Sequence, residues 1–534
     1  MEFTQLFGHP LWVAALAWIG YNFWLVLWRL YLCPLARFPG PKLAAVTGWY
    51  EFYYDAICHG KYTFEIAKMH EQYGPIVRIT PWELHINDPD YYDVLYSRNS
   101  PRNKYQWFAD MFGTPKASIA ILDHYKHRLL RSNMNPYFSM QRIRALEPEI
   151  QALVDKLCQR LNDFKGTGQP ITLQPAYTCF TTDVISDYTM GVGFHYLDEQ
   201  DFIPQWSETL SGIAQGTAFF KPFPWLLTIL KALPQSLVTK LNPGMGLMFA
   251  FQNRCLVLIN SVIESQKSGK ENFGHPTFFH DVLASDLPPE ARSAERLAQE
   301  IQTIIGAGAE TVAKMLSWTT YYLLENPEKL RKLKEELNRL DPNRTAALVD
   351  FEKMPYLTSV MLEGLRLSYG VSTRLPRIAP DQALQYKQWS IPVGTPVGMT
   401  SVLMHHNETN FPDSYKFIPE RWMDLESRKR LESYLVPFSK GSRQCVGQKY
   451  VDSLPVSVLA ILFVPSSLVV SFTEQKYNRD SSLARAEILL ALAKLFRDVN
   501  FQLYETTRED VTMAHELFLP FPPSGSKGVR VLVR

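Results

Sequence analysis

Cys445 lies in Phe438-Ser-Lys-Gly-Ser-Arg-Gln-Cys-Val-Gly447, a run of small and polar residues with Arg443 two positions ahead of the sulfur. A thiolate is a soft ligand well suited to iron. Gly441 and Gly447 let the backbone fold tightly around it, and the N–H groups of such a loop can point at the sulfur and tune it. Arg443 supplies a guanidinium for a carboxylate on whatever the cysteine holds. A second constellation lies in Asp123 to Arg131, where His127 and Arg131 stand at i and i+4, so that one helix face carries two donors. A solvated basic face is the plain alternative. The third is Gly306-Ala-Gly-Ala-Glu-Thr311, in the middle of an apolar helical stretch from Ala298 to Leu324. Each glycine costs a helix about 1 kcal/mol relative to alanine. Their presence implies a bulky group against the backbone, a local opening, or a close helix crossing. Beside that groove, Glu310 and Thr311 form an acid–hydroxyl pair able to carry protons.

These groups need elements to position them. Leu11 to Trp28 is apolar and uncharged, long enough for a membrane helix. Only Glu2 is charged before it, while Arg29, Arg37 and Lys42 follow, which argues against a secretory signal and places the body on the cytoplasmic side. Trp18, Trp24 and Trp28 read as interfacial anchors, and Phe38-Pro-Gly-Pro-Lys42 as a stiff hinge between anchor and domain. Tyr73–Ile79 and Glu83–Ile86 alternate like short strands. Residues 140–290 have a helical pattern, with loops at Lys165–Gln169 and Ser285–Pro289. Phe219 to Trp225 is apolar and broken by prolines, which suits a substrate entrance, a membrane-surface contact or a packed loop. Glu363 and Arg366 sit at i,i+3 on a helix from Tyr356 to Leu367; on a surface such a pair contributes only a few tenths of a kcal/mol.

Composition bounds the answer. The 534 residues are 46% apolar and 20% charged, a globular balance. A net charge of +2 leaves no electrostatic footprint for nucleic acid. The six cysteines are scattered with no C-x-x-C pair, so neither a disulfide framework nor a zinc site is indicated. That fits a reducing compartment.

Phe438-x-x-Gly-x-Arg-x-Cys-x-Gly447 resembles the heme-binding loop of the cytochrome P450 family, in which the cysteine thiolate is the axial iron ligand. Ala307, Gly308, Glu310 and Thr311 are similar to the family's oxygen-activating motif, Glu363-x-x-Arg366 to its Glu-x-x-Arg pair, and Phe417 to Trp422 to the segment whose arginine, here Arg421, completes that network. The four motifs stand in the family's order. The resemblance implies a mainly α fold with a long central helix and a small β-region, spanning 34–534 behind a membrane anchor at 1–33. It implies heme b as cofactor, with Cys445 on iron and Phe438 and Gly447 in the loop. Propionates would be held by His127, Arg131, Arg377 and Arg443, and protons relayed by Glu310 and Thr311. Val371-Ser-Thr373 would face substrate. It further implies O2 as co-substrate and NADPH–cytochrome P450 reductase as electron donor, because no dinucleotide or flavin module is visible. A basic surface at Arg428, Lys429, Arg430 and Lys440 is the expected dock. The setting would be the endoplasmic reticulum membrane, single-pass. The chain looks like fungal members of secondary metabolism, the trichodiene oxygenase type included, which points to an apolar, terpenoid substrate. Tyr105, Trp107, Phe108, Phe112, Phe219, Phe220 and Phe518 are the pocket candidates. The alternatives are a heme-thiolate isomerase or dehydratase that needs no reductase, against which Thr311 counts, and a non-catalytic membrane protein.

One stretch departs from the family. The helix after the cysteine loop should begin at once, yet Lys449 to Ser482 stands between Gln448 and Leu483. Pro455 and Pro465 would break a helix there. Lys-Tyr-Val can encode a fungal-type 5′ splice site and Ser482 a terminal AG. Joining the halves restores an asparagine in frame, so 449–482 reads as a translated intron, with a membrane-touching apolar insertion as the rival.

Overall fold

The computed structural model describes residues 3–221, 228–230, 232–268, 277–341, 346–448 and 482–534. Most of the proline-broken segment, and all of 449–482 except Ser482, lie outside them. The uncharged N-terminal run forms helix α1 (Phe3–Leu27), continued by a π-helical turn at Trp28–Leu32. At 1.5 Å per residue α1 is about 38 Å long, and no part of Trp12–Leu32 is buried against the protein. Trp18, Trp24 and Trp28 are 68, 56 and 39% exposed, so they belong to no protein core.

The expected hinge is corrected. Phe38 is buried and stacks on Trp389 with ring centroids 5.0 Å apart. The Arg78 N–H donates to the Pro39 carbonyl at 2.7 Å, and a Cβ at Gly40 would lie 2.5 Å from the Arg78 carbonyl oxygen. Arg78 Nη1 also donates to the Arg29 carbonyl at 2.7 Å, while Arg29 donates to Val46 O at 2.5 Å and lies over the Trp82 ring. The prolines fix a docked strap.

Five short strands form one sheet: β1 (Ile76–Arg78), β2 (Leu84–Ile86), β3 (Asn103–Lys104), β4 (Arg377–Ile378) and β5 (Pro396–Gly398), in the order β1-β2-β5-β4-β3. Only the β2–β5 pair is parallel. The β3–β4 register sets Lys104 directly opposite Arg377.

The helices that carry the site are α2 (His124–Met134), α3 (Leu173–Met190), α4 (Pro204–Phe220), α5 (Gly244–Ser268), α6 (Ala294–Glu325), α7 (Pro355–Ser368) and α8 (Leu483–Asp498). Asp123 caps α2 by accepting the Lys126 N–H at 2.8 Å. The long α6 runs through the main core and packs on α3, α5, α7 and α8. Helix α5 is apolar enough to cross a membrane, but Phe251, Cys255, Ile259 and Val262 put it in the core. A C-terminal hairpin, β6 (His515–Leu517) and β7 (Leu519–Phe521), turns at Phe518, whose carbonyl accepts the Ser372 N–H at 3.0 Å.

Glu363 and Arg366 are wholly buried, which excludes the surface-pair alternative. The Glu363 carboxylate accepts from Arg366 Nε and Nη2 at 2.9 and 2.8 Å, Arg421 Nε at 3.2 Å, Trp422 Nε1 at 2.9 Å and the Ile418 N–H at 2.9 Å. Arg366 also binds the carbonyls of His405, Ser414 and Lys416. A satisfied buried pair of this kind fixes the segment that leads into the cysteine loop.

Candidate active site

The loop is shaped by close backbone approach. Gly441 has φ +80°, and a Cβ there would lie 2.2 Å from the Tyr96 carbonyl oxygen. The Cys445 N–H donates to Phe438 O at 3.0 Å and the Gln448 N–H to Cys445 O at 3.3 Å, while half-buried Phe438 packs on the main core. Cys445 is accessible to water, yet enough protein surrounds it for burial to push its thiol pKa up. The N–H groups of Gly447 and Gln448 and the charge of Arg131 pull the other way. A sulfur facing an internal cleft shows this combination. The hydrogen bonds and the cation that favour its anion are what a metal thiolate needs.

Around the loop the structure gathers the basic residues the sequence singled out, and one more. Arg131 Nη2 donates to the Gln444 carbonyl at 3.0 Å, tying α2 to the cysteine loop. Arg443 donates to the carbonyls of Ile121 and Leu122, both at 2.6 Å, and of Arg102 at 3.2 Å. Arg377 donates to the carbonyls of Leu375 and Pro376 and lies over the Tyr96 ring. Lys104 is buried and donates to the Ile119 carbonyl. His127 is 5% exposed, not solvated, and its Nδ1 has no hydrogen-bond partner among the described residues. No described carboxylate makes an ion pair with any of these five. Burial, then the other four cations, push the His127 pKa down to about 2. Burial and Arg377 lower Arg443 to about 9, and burial, then Arg443, Arg377 and Arg131, hold Lys104 far below its ordinary value. Like charges facing each other across a ladder are destabilising, and unpaired buried charges more so. The cluster therefore lacks a counter-anion. A group with two carboxylates supplies one, so the residues fit the heme that the resemblance implies. Lys104 was missed in the sequence because a single lysine in a two-residue strand carries no periodic signal; only the register reveals it.

On α6 the two glycines divide the proposed roles. A Cβ at Gly308 would meet Ile185 of α3 at 3.0 Å, so this glycine serves the helix crossing; one at Gly306 meets nothing within 4 Å. Ala307 is exposed in mid-helix, and the Thr311 hydroxyl donates to its carbonyl at 2.9 Å on that open side. Glu310 points elsewhere. It is buried, accepts from Ser211 of α4 at 2.9 Å and faces Lys314 at 3.6 Å, with Oε2 unpartnered among the described residues. Burial raises its pKa against the pull of Lys314 and Ser211. Glu310 and Thr311 do not bond to each other; the helix turns them to different sides.

Of the pocket candidates, Phe112 and Phe108 pack against Phe518 at 4.7 and 6.3 Å, and Trp107 donates to Glu83 at 2.7 Å. Tyr105 is half-buried and Phe219 is exposed; the Phe220 side chain lies outside the described residues. The expected basic dock is corrected. Arg428 pairs with Glu432, Lys429 with Glu426 and Lys440 with Asp93, at 2.7–2.8 Å, so neighbouring acids offset most of its charge.

Comparison with known proteins agrees with this geometry. The family model described as Cytochrome P450 matches residues 39–450. The cytochrome P450 monooxygenase MO6277 of Ascocoryne sarcoides is 43% identical, over 96% of both chains. The tryptophan 6-hydroxylase fscE of Fusarium equiseti is 40% identical, over 96% of this chain and 94% of its own. The N-acetyltryptophan 6-hydroxylase ivoC of Emericella nidulans is 38% identical, over 99% of both.

Proposed function

The chain belongs to the cytochrome P450 family, and from that premise we propose that Cys445 ligates heme iron while His127, Arg131, Arg377, Arg443 and Lys104 hold the propionates. The family makes the chain a monooxygenase that uses heme, O2 and a redox partner. The observation that carries our assignment is the five-membered basic cluster without a carboxylate, set beside an accessible cysteine. Bound heme iron supplies oxygen activation. The thiolate is favoured by the Gly447 and Gln448 N–H groups. Thr311 holds its hydroxyl on the open side of α6, over the carbonyl of the exposed Ala307, where it can pass a proton inward. Glu310, whose pKa burial raises, is the proton reserve behind it, reaching that face only by moving away from Ser211. We read the redox partner as NADPH–cytochrome P450 reductase and the location as the endoplasmic reticulum, with α1 as anchor.

For the substrate, fungal secondary-metabolism members favour a terpenoid. A specific finding favours a second reading: two relatives are named for hydroxylating tryptophan and N-acetyltryptophan, and Trp107, Phe108, Phe112 and Phe518 offer aromatic walls. We take an indole-bearing metabolite as the stronger reading. A rearrangement without reductase is disfavoured by Thr311; turnover that stops without NADPH and reductase separates the two.

We read 449–482 as a translated intron. Its flanks support this: Ser482 is buried and caps α8 by accepting the Arg485 N–H at 3.3 Å. A Cβ at Gly447 would lie 4.0 Å from that of Ala484. The ends meet, and a single asparagine both spans them and caps a helix. The test is a reduced, carbon-monoxide difference spectrum on the full chain and on a version with Lys449–Ser482 replaced by one Asn. A thiolate-heme band only in the short form supports intron and enzyme together. A band in both shows that the stretch is tolerated, and a band in neither removes Cys445 as ligand; uninterrupted transcripts that code for the stretch, with no spliced form, remove the intron reading.

A further inference from the structure

Between the turn Tyr53–Ile57, the end of α4, Thr373 and the β6–β7 hairpin lies a cavity of about 10 Å³, room for roughly one water-sized group. Asp55, Trp107, Lys221, Thr373, Glu516 and Phe518 line it. Its charges do not balance. Arg374 is committed to Glu51 at 2.7 Å and to Glu83 at 2.9 Å. Lys221 is committed to Glu51 at 2.6 Å and to Asp55 at 2.5 Å. Among the described residues, the four carboxylates of Glu51, Glu83, Asp55 and Glu516 thus share two cations. Asp55 is 4% exposed and its Oδ1 has no partner among the described residues. Glu516 is 5% exposed and, among the described residues, is reached only by neutral donors: Thr63 Oγ1 at 3.1 Å, the Phe518 N–H at 2.9 Å and Ser372 Oγ at 3.5 Å. A buried carboxylate without a cation is costly. Accordingly burial, more than the neighbouring charges, raises the pKa of Asp55, and burial with Asp55 lifts Glu516 to about 7.

Resting on the monooxygenase reading above, we propose that this cavity receives a protonated amine of the substrate, with Asp55 and Glu516 as the specificity-determining residues. An ammonium group matches the cavity in size and supplies the missing charge. Its N–H groups find Asp55 Oδ1 open, and the apolar body would lie along Trp107 and Phe518 toward Thr373. A carboxylate head is disfavoured, because both cations already hold two acids each.

The test uses whichever of the two forms gives the thiolate-heme band, loaded with heme, and three indoles of similar size: tryptamine, indole-3-propionate and neutral 3-propylindole. Binding is measured by equilibrium dialysis. Heme absorbance is followed in parallel to detect nitrogen ligation to iron, and the carbon-monoxide spectrum is recorded on the same samples. Tryptamine should bind at least about ten-fold tighter than indole-3-propionate, as a charge-assisted contact requires. Asp55→Asn should erase that preference, each affinity being taken relative to that of 3-propylindole for the same variant, and Glu516→Gln, which keeps its hydrogen-bond shape, should reduce it. The proposal is overturned if indole-3-propionate binds as well as tryptamine, if both variants keep the preference, or if tryptamine binds only through iron. A lost thiolate band with the charge preference intact would instead count against the heme assignment.

Discussion

Replacing Lys104 by Met should have opposite effects on the heme-free and heme-loaded protein. The ammonium of Lys104 faces Arg377 across the β3–β4 ladder, with Arg443 and Arg131 as its next neighbours. Two unit charges about 6 Å apart at an effective dielectric constant near 20 repel by about 3 kcal/mol. Part of that is relieved when the lysine gives up its proton, so Lys104→Met should stabilise the heme-free chain by about 1–3 kcal/mol. In the loaded protein the same ammonium meets a propionate. Losing a charge-assisted hydrogen bond costs about 1.5–3 kcal/mol, or about a ten- to hundred-fold weaker hold on heme. Denaturant unfolding of both forms, with heme transfer to excess apomyoglobin, measures the two effects. There is also a pH signature. Folding lowers the Lys104 pKa from 10.5, so the unfolded chain binds more protons between the lowered value and 10.5, and heme-free stability rises with pH through that window. The variant should lack that component of the slope. Destabilisation of the heme-free variant, or unchanged heme transfer, would refute the reasoning.

His127 gives the acid-side counterpart. Its folded pKa of about 2 lies below the ordinary 6.5, so its contribution to heme-free stability is present above 6.5 and lost as pH falls toward 2; His127→Asn should flatten that acid limb in pH-dependent unfolding. Glu363→Gln leaves Arg366 buried without its carboxylate and should cost about 3–5 kcal/mol, read as a fall in unfolding midpoint with loss of the thiolate-heme band. Gly306→Ala should raise the stability of α6 by about 1 kcal/mol while placing a methyl in the open groove and weakening substrate binding. Gly308→Ala must push against Ile185 and should destabilise by about 1–3 kcal/mol; thermal unfolding of the pair distinguishes them.

Chemistry carried by one contiguous motif was legible in the chain. The cysteine loop, the His127–Arg131 helix face, the Glu363–Arg366 pair and the existence of the long helix needed only local spacing and periodicity, although that helix starts at Ala294, four residues before the expected Ala298. Strand order was not, because a strand of two or three residues carries no signal of its partner, and so Lys104 opposite Arg377 could not be seen. The ionic chain through Glu83, Arg374, Glu51, Lys221 and Asp55 joins the first sixth of the sequence to its middle and last third; no local pattern encodes it. The prolines near residue 40 signalled stiffness, but whether stiff chain hinges or docks depends on Arg78, far along the sequence. The basic surface misled because charge was counted without the acids that folding brings beside it.

The strap after α1 has a mechanical consequence. Arg78 grips the carbonyl of Arg29, Arg29 grips Val46, and Phe38 is wedged on Trp389. A tether held at three points transmits torque. With α1 in a bilayer, the lean of that one helix would set the lean of the body docked on the strap. Bilayer thickness, by changing the helix tilt, would thereby reorient the domain as well as the anchor.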